Sequence, residues 1–204
     1  MAAEDSWIRD GGRVCLDFVN TLLDRGTSPR ETLPAPPELV RWLAGAGLLA
    51  APGEPRCSPA GPEGAEEGLL TTARRLREAI DRTVLTVRDG RLPAPRDIEV
   101  INETGTVAPA PVRQLVLVED ELAPGTAARE AEDPAAALGL VAQDAIDLVL
   151  TPAVRRVRVC GGARCALRFL DRSPAHNRRW CSMARCGNRV KARRHQARHG
   201  AARA

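Results

Sequence analysis

The sequence predicts an α+β fold, mainly α: a helical amino-terminal domain with a small sheet over residues 1–152, then a small cysteine-rich module over residues 153–204, built of two short strands plus a C-terminal helix. Three observations predict it. Apolar residues recur at helical spacing through most of the first 150 positions. Four of the six cysteines fall between Cys160 and Cys186. Charge divides at the same place: residues 1–152 hold 15 basic and 25 acidic side chains, whereas residues 153–204 hold 15 basic and one acidic, Asp171. The halves therefore carry net charges of −10 and +14 within a chain of +4. An Arg-rich composition alone would raise Arg everywhere and would not strip Asp and Glu from the last quarter. Such asymmetry points to an acidic domain joined to a polyanion-binding one.

The elements follow in order. Gly11-Gly12 is a turn, and Val14–Leu23 reads as a helix ending near Gly26. Pro37-Glu38 opens a short helix carrying Leu39, Trp42 and Leu43, which Gly47 closes. The Pro- and Gly-rich stretch Ala50–Gly64 is a loop. Ala65–Arg88 is the clearest helix, because Leu69, Ala73, Leu76, Ile80, Val84 and Val87 step by threes and fours along one face. A short helix around Asp97–Glu103 follows Pro95. Gln114–Val118 is a strand. Asp133 caps and Pro134 opens a last long helix running to about Pro152. In the basic module, Val154–Val159 and Leu167–Leu170 are the two strands, Asp171–Arg179 is a polar turn, and a helix runs from about Asn188 to His199.

Composition excludes several function classes. No stretch approaches the roughly 18 apolar residues of a membrane span, and the amino terminus shows no secretory signal, so the expectation is a cytoplasmic protein without a membrane partner. Aromatic residues are 2% of the chain, which argues against recognition by rows of stacking rings. Residues 1–152 contain no His, Lys or Tyr, and no nucleotide-binding Gly-rich loop. Cys15 lies in an apolar run with no histidine in its domain, so it reads as a buried structural thiol, and no enzyme is expected.

The cysteine pattern is Cys160-x4-Cys165-x15-Cys181-x4-Cys186. Without a secretory signal the thiols are expected to be reduced, and two pairs at this separation can wrap one tetrahedral Zn²⁺. The spacing within each pair is four residues where two is usual; the alternative is a set of unligated thiols. Gly161-Gly162 lets the first knuckle turn so that amides point at sulfur. His176 reads as a loop residue, and His195 and His199 as a solvated helix end, because neither Cys186 nor Cys165 lies at the distance from them that a finger of two cysteines and two histidines needs. Four protein ligands leave no position for water, so the zinc, one per chain, is structural, and its binding supplies folding free energy to a module too small for a large core. Trp180 and Phe169 are the candidates for that core.

The run Cys186-Gly187-Asn188-Arg189, preceded by Arg178-Arg179-Trp180-Cys181-Ser182-Met183 and followed by Lys191-Ala192-Arg193-Arg194, resembles the C-terminal zinc finger of the bacterial CGNR proteins. Upstream, Gly11-Gly12-Arg13-Val14-Cys15-Leu16-Asp17-Phe18-Val19-Asn20-Thr21 resembles the opening of the ABATE-type domain that precedes that finger. The resemblance implies a stress-responsive transcription regulator. From the residues themselves, the expected partner is double-stranded DNA. Arg189, Lys191, Arg193 and Arg194 lie on the expected last helix, placed for a major groove, and Arg178 and Arg179 in the preceding loop are placed for the backbone. Asn188 reads as that helix's cap. The amino-terminal domain is then a sensing or homodimerisation element. RNA binding, or a protein-interaction zinc module, is the alternative.

Overall fold

A computed structural model describes residues 7–49, 64–110, 113–118, 121–126 and 130–188. The expected α+β, mainly α, class is what it shows: five helices and three two-stranded antiparallel sheets among these residues. Helix α1 is Val14–Val19. Strands β1, Leu22–Leu23, and β2, Arg30–Glu31, pair next to it. Helix α2 is Pro36–Gly45, α3 is Ala65–Arg88 and α4 is Pro95–Gly105. Strands β3, Arg113–Val118, and β4, Glu121–Thr126, form a hairpin, and α5 is Pro134–Val149. A tight helical turn, Pro152–Arg156, leads into β5, Val157–Val159, which pairs with β6, Arg168–Leu170.

Helix α5 sits at the centre. It is apolar on nearly all sides, with Ala137, Leu138, Val141, Ala142, Ala145 and Leu148 buried, as an inner helix must be. Its start follows the expected chemistry: the Asp133 carboxylate accepts the Ala136 amide at 2.9 Å, and Pro134 fills the first turn. Gly139 lets the residues after α4 lie directly on it, since a Cβ there would come within 2.6 Å of the Ala108 backbone nitrogen. Helices α1, α3 and α4 pack around α5, and the Phe18 and Trp42 rings meet at 5.1 Å between α1 and α2. Cys15 is fully buried in this core, where burial and the neighbouring Asp144 carboxylate drive its thiol well above the ordinary range.

Two expectations are corrected. The helix expected over Val14–Leu23 ends at Val19, because Asn20 and Thr21 are committed to contacts outside it. Thr21 accepts the Thr32 amide on its carbonyl at 3.1 Å, and Leu22–Leu23 then runs as strand. The strand expected from Val154 begins only at Val157, the preceding residues winding into the turn that Pro152 opens. The helix expected over Asn188–His199 lies almost wholly outside the described residues, as do Cys57, His195 and His199.

The main core does not stop at the composition boundary. Val154, Val157 and Leu170 belong to the same buried cluster as α1, α3 and α5. A second, smaller cluster gathers Leu23, Leu167, Phe169, Cys160, Cys181 and Cys186, with Trp180 packed on it. Phe169 and Trp180 thus take the core roles expected of them.

Asp17 makes one pH-dependent contribution. Burial pushes its carboxyl up to about 6, against the lowering effects of the Gly11 amide, which donates to it at 2.8 Å, and of Arg9. A raised folded value means that its stabilising contribution is present below the unfolded value of 3.8 and is lost as pH rises through about 6. Asp17→Asn, which can still accept from Gly11, should therefore cost little at pH 4 and gain about 1–2 kcal/mol relative to the parent at pH 7, after allowance for its partial exposure. Urea unfolding across that range measures the difference; a gap that does not change with pH would contradict it.

Candidate metal centre

The four clustered cysteines converge at the end of the β5–β6 hairpin. Cys160 leaves β5, and its amide still donates to the Leu167 carbonyl at 2.9 Å, so the first knuckle is the hairpin's own loop. The Cys165 amide closes a turn on the Gly162 carbonyl at 2.9 Å. Gly162 suits this close approach: a Cβ there would stand 3.2 Å from both the Cys186 Sγ and the Cys165 Cβ, tighter than ordinary van der Waals contact. The second knuckle is a helical turn, Met183–Gly187. Ser182 caps it through its hydroxyl, and the Cys186 amide returns to the Ser182 carbonyl at 3.0 Å. The two knuckles are tied by the Gly161 amide, which donates to the Arg179 carbonyl at 2.9 Å.

All four sulfurs lie within 4.8 Å of one another, and among the described residues no histidine or carboxylate joins them. The donor set can be tested against the metal. A tetrahedral zinc with Zn–S bonds of about 2.3 Å holds its sulfurs ~3.8 Å apart. The separations Cys165–Cys181 and Cys181–Cys186 are both 3.8 Å. Cys160, Cys181 and Cys186 are buried and Cys165 half-buried, which suits a closed structural site. Hydrogen bonds from the Cys165 and Cys181 thiols, with the Cys181 amide donating at 3.3 Å, hold Cys160 well below the usual thiol range. The same interaction with Cys160 pushes Cys165 up to about 12 and Cys181 higher still. A cation that fixes all four as thiolates must displace those protons, so zinc affinity should fall as pH falls. His176 stands apart on the exposed turn, its ring 3.3 Å from Arg156, as a loop residue would.

Two expected surface residues behave differently from each other. Arg178 folds back: its Nε donates to the Trp180 carbonyl at 2.8 Å, its Nη2 to the Cys181 carbonyl, and its guanidinium lies 4.9 Å from the Phe169 ring centre. Arg179 is exposed above Trp180, 5.5 Å from the ring centre. Arg189, Lys191, Arg193 and Arg194 lie outside the described residues. The module's single acid, Asp171, is buried and organises the turn, accepting the Ser173 amide and hydroxyl and the Arg178 amide at 2.6–2.9 Å.

Sequence reasoning missed what holds this centre to the helices. Arg168 on β6 is buried and makes a two-pronged pair with Asp81 of α3, at 2.7 and 2.9 Å. Asn20 reads the β6 backbone from the other side: its Nδ2 donates to the Arg168 carbonyl at 2.9 Å and its Oδ1 accepts the Arg168 amide at 2.8 Å. The Leu170 amide donates to the Gly11 carbonyl at 2.8 Å, and Arg185 beside Cys186 pairs with Asp10 at 3.0 Å. Behind Asp81, buried Arg77 grips Glu31 through two bonds of 2.7 Å, and Arg25 grips Glu78 at 2.6 and 3.0 Å. Burial opposes ionisation of Glu31 and Glu78, yet the paired Arg77 and Arg25 outweigh it and bring both carboxyls below the ordinary range. The one visible signal was charge at Arg77 and Asp81, four residues apart on an otherwise apolar helix face.

Comparison with known families agrees with this construction. A family model described as "Putative stress-induced transcription regulator", ABATE, matches residues 12–152, and a CGNR zinc-finger model matches residues 156–199. No curated protein matches the chain. Neither matched family is an enzyme family. Among the described residues no helix is long and apolar enough to cross a membrane. A CGNR finger whose four cysteines stand at metal-binding distance supports one structural zinc. With more than half of its length matched by that family's model, the chain belongs to the ABATE family of regulators and carries a zinc-binding CGNR finger behind the ABATE domain.

Proposed function

We propose that this chain is a DNA-binding transcriptional regulator whose four-cysteine finger contacts duplex DNA, with the amino-terminal domain serving as a sensing or dimerisation element. The division of labour is an acidic domain, residues 1–152, and a basic one, residues 153–204, in the cytoplasm. The observation that carries it is the finger's charge. Fifteen basic residues face one acid, and that acid, Asp171, is spent inside a turn. Arg158, Arg164, Arg172 and Arg179 are exposed on the finger, so its described surface is cationic where the helical domain is anionic. A polyanion is the natural partner, and the poverty in aromatic side chains favours a duplex over an unstacked single strand.

In this reading Arg178 supports the knuckle, Arg179 reaches the backbone, and the segment after Asn188 supplies the main contact through Arg189, Lys191, Arg193 and Arg194. Replacing Arg189 and Arg193 together by Ala should weaken duplex binding and flatten the plot of log affinity against log salt by about 0.9 for each phosphate contact removed. If one of them reads a guanine edge instead, discrimination at one base pair should fall by roughly 1–3 kcal/mol with less change in slope. Unchanged binding, slope and sequence preference at full zinc content would remove this face from consideration.

A further inference from the structure

His176, on the polar turn after β6, is held by two arginines that flank Val157 where β5 begins. The Arg156 Nη1 lies 3.3 Å from the His176 Nε2, and the Arg158 Nη2 donates to the His176 carbonyl at 3.2 Å. A guanidinium offers only donors, so the ring nitrogen that meets Arg156 accepts, and the ring proton sits on Nδ1. The backbone aims the ring. His176 has a φ of +45°, one of two non-glycine residues in the left-handed region among those described, and its amide closes the turn on the Ser173 carbonyl at 3.1 Å. Histidine and the imidazole's neighbours are solvent-facing: His176 and Arg158 are exposed and Arg156 half-buried.

The cluster has no counter-charge. Neither Arg156 nor Arg158 forms an ion pair with a described acid. The module's one acid, Asp171, is buried and turned inward, its oxygens taken by the Ser173 amide and hydroxyl and the Arg178 amide. Each arginine spends one N–H group on the turn and keeps the rest of its fork for an outside acceptor.

We propose that Arg156, Arg158 and His176 form a second phosphate-binding site of the finger, one that takes a backbone phosphate of the duplex. The site rests on the reading of the finger as a DNA-binding module and adds to it a contact outside the segment after Asn188. Two guanidinium forks with no carboxylate beside them suit an oxyanion, and the imidazole Nδ1–H adds a neutral donor. His176 and Arg179 lie three residues apart in one polar turn, so a single run of backbone phosphates can meet both.

The test uses the zinc-loaded full chain, with affinity for a duplex of mixed sequence measured over a salt series. Arg156→Gln with Arg158→Gln should lower affinity about tenfold or more at low salt and flatten the slope by up to about 1.8, about 0.9 for each phosphate contact. His176→Asn, whose side chain suits the left-handed turn, should weaken binding several-fold with the slope unchanged, because a neutral donor releases no counterion. Arg75→Gln with Arg96→Gln removes the same charge from exposed positions of α3 and α4 and should leave affinity and slope as in the parent. Without DNA, the His176 ring resonances of the parent, identified by their loss in His176→Asn, should shift saturably with pyrophosphate. An unchanged slope and affinity in the Arg156 and Arg158 double variant, an equal loss in the Arg75 and Arg96 one, or a His176 ring that pyrophosphate does not move would overturn the proposal. A parent that binds no duplex, yet whose His176 ring still shifts saturably with pyrophosphate, would refute the DNA reading and leave the phosphate site standing. The pyrophosphate titration uses the parent protein and needs no arginine variant to fold.

Discussion

Cys181→Ser is expected to release the zinc and unfold the two knuckles. Cys181 touches both halves of the cluster: its sulfur lies 3.8 Å from those of Cys165 and Cys186, and its amide donates to the Cys160 sulfur at 3.3 Å. Structural zinc contributes apparent binding free energies of about 10–16 kcal/mol in finger peptides, far more than the six-residue cluster around Phe169 can replace. Elemental analysis should give one equivalent of zinc for the parent and well below that for the variant. The near-ultraviolet signal of Trp180, packed on that cluster, should be lost with it. The helical far-ultraviolet signal should largely remain, because α1, α3 and α5 close around a core of their own. Cys15→Ser is the control: it lies in that other core and should leave zinc content unchanged. Full zinc content in Cys181→Ser would refute the four-sulfur site.

Asp81→Asn is the second large effect. It leaves the Arg168 guanidinium, about a tenth exposed, without its carboxylate in the join between finger and helices. Removing one partner of a buried pair costs about 3–5 kcal/mol, because the other charge stays buried and uncompensated. Nearby Arg25, 3.7 Å from the Asp81 carboxylate, adds to the unbalanced positive charge. Replacing both partners with apolar residues, Asp81→Leu with Arg168→Met, should recover most of the loss. Urea unfolding of the two forms measures this directly. A single variant that costs less than about 1 kcal/mol would show that the pair does not hold the finger in place. Any division of the chain after Pro152 breaks the same contacts. Such a cut would strand Asp81 and Asn20 and would remove Val154, Val157 and Leu170 from the main core.

Helix α3 was legible end to end because its apolar face and its stop at Asp89-Gly90 are local signals, and α5 because Asp133-Pro134 is a local start. The zinc site was legible because metal ligands are few in kind and their spacing along the chain limits their geometry. The early end of α1 was not. Asn20 and Thr21 look tolerable inside a helix until their partners, the β6 backbone and the β1–β2 turn, are known. Strand β4 carried no strand signal because Pro124 and Gly125 are both disfavoured in strands, and a two-stranded hairpin tolerates both at its edge. The Asp81–Arg168 pair joins positions 87 apart in the chain, and no local pattern carries that information. The contacts of Arg178 were hidden for the same reason: the carbonyls it holds are created by the knuckle fold.

In the proposed function the finger reads duplex nucleic acid. The most direct measurement is selection by the zinc-loaded full chain from mixed random pools of duplex DNA and RNA, followed by affinity measurements on the recovered sequences over a salt series. The expected result is enriched duplex DNA, log affinity that falls linearly with log salt at about 0.9 per phosphate contact, and loss of enrichment when Cys181→Ser is used in its place. Recovery of RNA with no duplex DNA, or equal enrichment by Cys181→Ser, would contradict it.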